Sequence, residues 1–468
     1  MSEPMISAPG SHPETPGRRR QRDGFSAGLI WLLFLLLPLV LFHYWVAHRG
    51  QVHPWFFWLA LLVPALPLAE EWWRRRRMTR GDGGRKTGLP EEPSARLATR
   101  LARYEEQVED LLAASAGRLV GNRVILEGRL RVEPSVAAAE LNRRFDPGVH
   151  RAYLLEAEDG RVALVIEPQS EGPETPPPSL RPGIAWNVVL LALTFVTTTW
   201  AGASHRGLDM FRQPFHFWAG LSFSVPLLLI LGVHELGHYF VARRRGVDAS
   251  LPYFIPVPFG LGTFGAIIRI RSAFPDRRAA FDVGIAGPLA GLAVALPALI
   301  FGLQTSELVP ASAGIGTQVT SSLLLGWIAS WLATGDLTAA DAIVFSPLAF
   351  AGWLGLLVTA LNLLPIGQLD GGHIAYGLLG RRRTQQVGVV ALLLLVLLGI
   401  FYWSGWLVWA FIVFFLTGFQ HDPARDEVSG LSFGRRALGV AALALLVLIM
   451  APVPHRFMQP LGIACPYL

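Results

Sequence analysis

Leu228-Leu-Ile-Leu-Gly-Val-His234-Glu235-Leu-Gly-His238-Tyr-Phe-Val-Ala242 is the stretch on which the reading of the chain turns. It is an apolar helix carrying one compact knot of polar chemistry. His234 and His238 lie four residues apart, so a helix stacks them on a single face. Two imidazoles so placed can grip one zinc ion, and Glu235 beside them can take a proton from a zinc-bound water. From Pro214 to Ala242 no other residue is acidic. That run is long enough to cross a bilayer, and an ionisable cluster inside such a segment points to function. A single histidine on an apolar face is usually a core residue, but a second polar cluster near Asp370 argues for a metal site.

The whole chain has a membrane composition. Of 468 residues, 52% are hydrophobic and only 16% charged, and the mean hydropathy is +0.42. The formal charge of +6 does not signal nucleic acid. The arginines cluster beside apolar runs, at Arg74–Arg77, Arg243–Arg245 and Arg381–Arg383, which is where the positive-inside rule puts them on the cytoplasmic side. The one cysteine, Cys465, supports neither a disulfide framework nor a thiolate metal site.

In chain order, residues 1–23 read as a disordered tail, with almost nothing apolar to bury. Residues 24–72 read as a two-helix anchor, with spans at 28–45 and 55–68. The first is too long for a signal peptide's apolar region and has no small-residue cleavage site after it. Residues 73–170 turn soluble and predict a small cytoplasmic α+β domain. In it Leu97, Leu101, Tyr104, Val108, Leu111 and Leu112 recur at helical spacing. A strand at 123–130, a helix at 136–145 and strands at 153–156 and 162–166 follow, the last two flanking a Glu158-Asp159-Gly160 turn. Its role is either a structural cap or the docking of a substrate or partner.

Residues 171–183 form a proline-rich linker, and 184–425 a membrane core. Spans are predicted at 184–200, 217–242, 281–303, 342–364, 387–402 and 406–419, with Gly284, Gly287 and Gly291 available for close packing of the third. Residues 426–468 supply a last span at 440–451 and a tail. Leu251–Arg271 is apolar but broken by Pro252, Pro256 and Pro258 and by Gly260, Gly262 and Gly265, with a strand at 266–271. Non-helical backbone at membrane depth lines a cavity or is covered by protein. A re-entrant β-hairpin near the active site is therefore expected, against the alternative of a surface loop. The fold class is mainly α: a polytopic membrane protein of about nine transmembrane helices, its N-terminus cytoplasmic.

The second polar cluster is Asn362-Leu-Leu-Pro365-Ile-Gly-Gln-Leu-Asp370-Gly-Gly-His373. Catalytic zinc commonly takes three protein ligands and leaves a position for water. Asp370 is the candidate third ligand; its alternative role is to cap the following helix. Pro365 breaks the preceding helix, and Gly371 and Gly372 let backbone pass close to the metal. Asn362 is placed to hold a substrate backbone or a developing oxyanion, or else satisfies carbonyls that Pro365 frees. His373 has no assigned role and is expected at the interface.

The two motifs together, His234-Glu-Leu-Gly-His238 in a span and Asn362-x-x-Pro365-x-x-x-Leu369-Asp370-Gly371 far downstream, resemble the site-2 protease family of intramembrane zinc metalloproteases. The resemblance covers 184 to about 425. Gly262–Ser272 and Asp282–Gly291 are similar to the plant-plastid and cyanobacterial branch, as is the cytoplasmic domain. No PDZ-like insert is visible, unlike in several bacterial relatives. The resemblance implies zinc held by His234, His238 and Asp370, Glu235 as general base, and cleavage of transmembrane protein substrates within the lipid bilayer. Asn362, Gly265 and Ile268 are the candidate substrate-binding residues, with the strand at 266–270 pairing with an unwound substrate. The alternatives are a non-catalytic membrane-protein-binding scaffold, which would be expected to lose Glu235 or a ligand, and a metal-ion transporter, which would need further intramembrane carboxylates. The expected location is a bacterial inner membrane. A plastid is disfavoured because the first 23 residues hold three acidic side chains and lead straight into an anchor.

Overall fold

The computed structural model describes residues 94–120, 123–145, 150–157, 161–168, 183–208, 212–258, 260–310, 317–318, 322–332, 341–401, 405–417, 421–451 and 462–465. The tail at 1–23, the two anchor helices and nearly all of the proline-rich linker lie outside them.

The first described unit is an α+β layer. Helix α1 (Ser94–Val108) and strands β1 (Leu112–Val120) and β2 (Arg123–Leu130) are followed by α2 (Pro134–Arg144), β3 (His150–Glu156) and β4 (Val162–Pro168). The sheet runs β1-β2-β4-β3, every pair antiparallel. Alternation explains it. Val124, Leu126, Leu154, Leu164 and Ile166 point one way and are at most 2% exposed, packed with Val108 and Leu141 of the helices. Each such side chain contributes about 1.5–3 kcal/mol.

The helix expected to carry Leu111 and Leu112 ends instead at Val108, and a strand missing from the sequence reading starts at Leu112. Five consecutive residues of β1 are exposed. The strand is held by its backbone ladder to β2 rather than by side chains, so apolar periodicity could not reveal it.

The helical core follows. Helix α3 (Ile184–Ser204) leads through a 3₁₀ turn (Pro214–Gly220) into α4 (Leu221–Arg244), then a hairpin of β5 (Tyr253–Pro256) and β6 (Thr263–Ile267), then α5 (Arg277–Gln304). Strands β7 (Glu307–Pro310), β8 (Thr317–Gln318), β9 (Asp341–Val344) and β10 (Gly462–Cys465) form a small second sheet, and α6 (Leu323–Leu332) lies between β8 and β9 in the chain. Helices α7 (Pro347–Asn362), α8 (Asp370–Leu379), α9 (Arg381–Phe401), α10 (Gly405–Thr417) and α11 (Phe433–Met450) complete the core. The span expected from 342 begins as strand β9, because Ser346 caps α7 with its hydroxyl on the Ala349 N–H (3.2 Å) and Pro347 sits at the first helical position.

Among the described residues, five helical segments are long and apolar enough to cross a membrane: 184–204, 214–244, 277–304, 381–401 and 433–450. Helix α7 has 16 residues, about 24 Å of helix, and α10 has 13. The packing runs inside out. Trp186, Val188, Val390, Leu393 and Val440 face outward, while Thr194, Thr198, Thr199 and Ser224 are fully buried. Such a surface suits hydrocarbon, where interhelical hydrogen bonds and small residues hold helices together. The Thr198 and Ser224 hydroxyls meet at 2.6 Å, joining α3 to α4. A Cβ added at Gly237 of α4 would meet the Ala286 carbonyl of α5 at 2.7 Å.

A strap at residues 421–432 joins the two units. On one side the Leu154 N–H donates to Arg425 O (2.7 Å) and the Glu427 N–H to Leu154 O (2.9 Å). On the other, the Arg425 and Asp426 N–H groups donate to Phe274 O (2.9 Å) and Pro275 O (3.1 Å). The strap thus extends the sheet past β3 toward the start of α5, and the domain boundary expected at 425/426 falls inside it.

Candidate metal centre

His234 and His238 lie on α4, with ring centroids 4.9 Å apart. Asp370 opens α8 and turns toward them. Its Oδ2 is 3.2 Å from His234 Nε2 and its Oδ1 is 3.3 Å from His238 Nε2. The two Nε2 atoms are 3.2 Å apart, and all the ligating atoms lie within 4.8 Å of one another. Among the described residues no other trio of His, Cys, Asp or Glu converges in this way. Asp370 does not cap its helix: the N-cap is Leu369, which makes no side-chain cap bond.

The donor set fits a cation. His238 Nδ1 lies 2.7 Å from the Val283 carbonyl, so that nitrogen carries the proton and Nε2 turns a lone pair inward. Two imidazole nitrogens and a carboxylate then face one point with more lone pairs than shared protons can satisfy. One positive ion at that point satisfies all three.

Helix α5 forms the back of the site, and here its glycines matter. A Cβ at Gly287 would run into the His238 imidazole, and one at Gly291 would meet His234 Nδ1 at 3.0 Å. Helix packing and ligand placement are therefore one contact. Gly371 and Gly372 serve differently from expected. They pack against the Leu363 and Gly367 carbonyls, letting α8 close on the turn after Asn362 rather than passing backbone beside the metal.

Glu235 is 7% exposed, and its Oε2 accepts the Ile268 N–H at 2.8 Å. This alters the reading of Ile268. Strand β6 stops at Ile267, and from there the chain turns to pair with 248–250: the Arg269 N–H donates to Ser250 Oγ (2.8 Å) and the Arg271 N–H to Asp248 O (2.8 Å). Ile268 is thus not inside a strand that extends to 270. Its amide faces the carboxylate. Gly265 has φ +99°, a conformation that favours glycine, with open space where a Cβ would be. The hairpin lies alongside the helices. From α3, Asn187 Nδ2 donates to Pro252 O (2.8 Å) and Thr197 Oγ1 to Gly262 O (2.6 Å).

Asn362 Nδ2 lies 3.4 Å from His234 Nε2, bringing the end of α7 to the same centre. His373 is buried, at 7% exposure. Its Nδ1 is 2.7 Å from His421 Nε2, while His421 Nδ1 faces the Asp422 carbonyl at 2.8 Å. Burial pushes His421 down to about 4. Tyr376 stacks on that ring at 4.0 Å and donates to Glu427 Oε1 (2.8 Å); burial pushes the Glu427 carboxyl above its ordinary range. Sequence reading missed His421, Tyr376 and Glu427. The period of α8 carries Tyr376 on the face of His373, but nothing local announces a partner 48 residues away.

Residues 222–401 match Peptidase family M50. The helical core thus resembles an M50 peptidase domain over that stretch. The chain is 32% identical to the Arabidopsis thaliana protein named probable zinc metalloprotease EGY2, chloroplastic, over 71% of this chain and 61% of that protein. It is 38% identical to A. thaliana probable zinc metalloprotease EGY1, chloroplastic, over 52% of this chain and 45% of that one. The match to EGY2 extends beyond the M50 domain, and the resemblance to a plastid-type branch holds. The chain spans about three fifths of the length of EGY2. No solved structure matches it significantly. The expected bacterial inner membrane gains nothing from relatives named chloroplastic; what stands is an integral membrane protein.

Proposed function

We propose that the protein is an intramembrane zinc metalloprotease that hydrolyses peptide bonds in membrane-spanning segments of protein substrates. One observation carries the reading: His234, His238 and Asp370 converge within 4.8 Å in the M50 domain, with Glu235 next to them on a helix fit to cross a bilayer. His234 and His238 through Nε2, and Asp370 through its carboxylate, would hold the zinc. When bound, zinc supplies Lewis acidity, acidifying a water ligand toward neutrality and polarising a peptide carbonyl.

The chain's own groups do the rest. Glu235 takes the proton of the attacking water and returns it to the leaving amine. The Ile268 amide orients Glu235 for this. Asn362 offers a side-chain N–H to the carbonyl being attacked. A membrane helix must unwind before its peptide bonds are reachable, and the open edge of the hairpin near Gly265 pairs with the unwound strand.

The finer topology belongs to the same proposal. Nine spans with a cytoplasmic N-terminus and a cytoplasmic α+β domain rest on the arginine distribution, and a bacterial inner membrane rests only on the three acidic residues among the first 23. The test is cleavage of a tagged single-span protein in detergent by wild type and by Glu235→Gln, with zinc quantified in both. A loss of about 10²–10⁴-fold with zinc retained is expected. Absence of zinc from wild type under conditions that do not strip metal would sink the reading. Zinc retained with no cleavage by either form moves weight to the scaffold alternative.

A further inference from the structure

The sheet of the α+β layer buries only one of its faces under α1 and α2. The other face carries Ile125, Tyr153, Leu155 and Val165, each half-buried. Register aligns them: Ile125 pairs with Val165, and Val165 with Tyr153, giving one apolar row across three strands. The row beside it holds Arg123, Glu167 and Arg151, with Arg123 bonded to Glu167 at 2.7 Å.

This face does not end in solvent. It lines the same cleft, of about 1360 Å³, that has His234, Glu235 and Asp370 along its wall. The strap fixes it there by backbone hydrogen bonds on both edges. Outside the metal centre, the charged groups of the cleft are Arg123, Arg269, Arg271 and Arg381 against Glu167 and Asp422. The lining is therefore an apolar row within a net cationic rim, continuous with the candidate catalytic groups.

We infer that the open face of the β1–β4 sheet is the outer half of the substrate cleft and docks the acidic, extended flank leading into a substrate's membrane segment. The inference rests on the protease reading and names part of its substrate. An apolar or aromatic side chain of the flank lies on the Ile125–Val165–Tyr153 row, and carboxylates of the flank meet the arginines. The rim charges act mainly on encounter and selectivity, the apolar row on retention.

Two probes test it: a tagged membrane helix with an acidic flank containing an aromatic residue, and the same helix with that flank replaced by glycine and serine. The Ile125→Ser, Tyr153→Ser double variant is expected to raise KM about tenfold for the acidic-flank probe with kcat unchanged, the signature of lost uniform binding. Its kinetics on the neutral probe should match wild type. Equal effects on both probes, or none, overturn the inference while leaving the protease reading intact.

A second measurement does not need turnover or tolerance of two substitutions. Tyr153 is replaced by a photoreactive benzoylphenylalanine in the Glu235→Gln chain, and the acidic-flank probe is added. A cross-link to the flank is expected; an adduct only to lipid, only to a second copy of the chain, or to neither sinks the docking role. Loss of zinc and of all cleavage in wild type would instead undo the protease reading.

Discussion

The α+β layer and the M50 core solve the same packing problem with opposite materials. In the first, large side chains such as Leu126, Leu164 and Ile166 fill the interior and arginines lie outside. In the second, Trp186 and Leu393 lie outside while threonines, serines and glycines meet inside. Water rewards burial of bulk in the one case. In the other, the surroundings are as apolar as the interior, so close backbone approach and hydrogen bonds decide. The consequence for chemistry is direct: where small residues set the packing, the ligands of the metal centre sit in contact with the helix seam itself.

That contrast can be broken from either side. The largest effect is expected from Gly287→Ala, where one methyl group enters the space of the His238 ring. Overpacking typically costs about 1–3 kcal/mol, but here the displaced group is a proposed zinc ligand, so zinc and cleavage should both be lost. Full zinc content in that variant would break the link between helix packing and site. Leu164→Ala does the reverse. It should destabilise the α+β layer by about 2–5 kcal/mol, read as thermal unfolding, while zinc content stays at the wild-type level.

The strap gives a smaller effect that depends on pH. Burial raises the folded-state pKa of Glu427, so the folded chain binds more protons than the unfolded one between the ordinary value of 4.5 and that raised value. Stability from this group is then fully present below 4.5 and falls as pH rises through the folded pKa. Hydrogen exchange of the Leu154 and Glu427 amides should quicken over that window in wild type and not in Glu427→Gln; identical profiles would remove the protonation of Glu427 from the account. The smallest effect is at the surface. Arg144 bonds Asp110 at 2.5 Å and Glu140 at 2.8 Å; it holds the Asp110 carboxyl below its usual range, while Arg143 first and Arg144 second lower that of Glu140. Those pairs are exposed and solvent-screened, so Arg144→Ala should leave unfolding of the layer unchanged at physiological salt.

What the sequence made legible follows the range of the forces involved. The His234–His238 pair needs only one turn of helix, and the apolar runs only composition. Asp370 lies 136 residues from His234 and was readable because Asn362, Pro365 and the glycines mark a turn after a buried helix. Strand β1 and the strap were invisible, since backbone bonds between distant segments hold them and no side-chain pattern records such bonds. His421 was unreadable because its side-chain partner, His373, lies 48 residues away. The hairpin was legible from its prolines and glycines, but the strand end was misplaced: the sequence extends apolar character past Ile267, while the chain breaks off to meet Ser250 and Asp248.

The bond from the Ile268 amide to Glu235 has a genetic consequence. It is made by a group that every amino acid except proline possesses, so substitution at 268 can vary size, charge and shape without removing it. Selection acting on side chains has little to act on at that bond. Among descendants of this chain that bond by itself closes position 268 to proline alone, while the packing of the Ile268 side chain against its apolar neighbours limits the position separately, and a functional contact of the site can persist with almost no signature of its own in the letters that encode it.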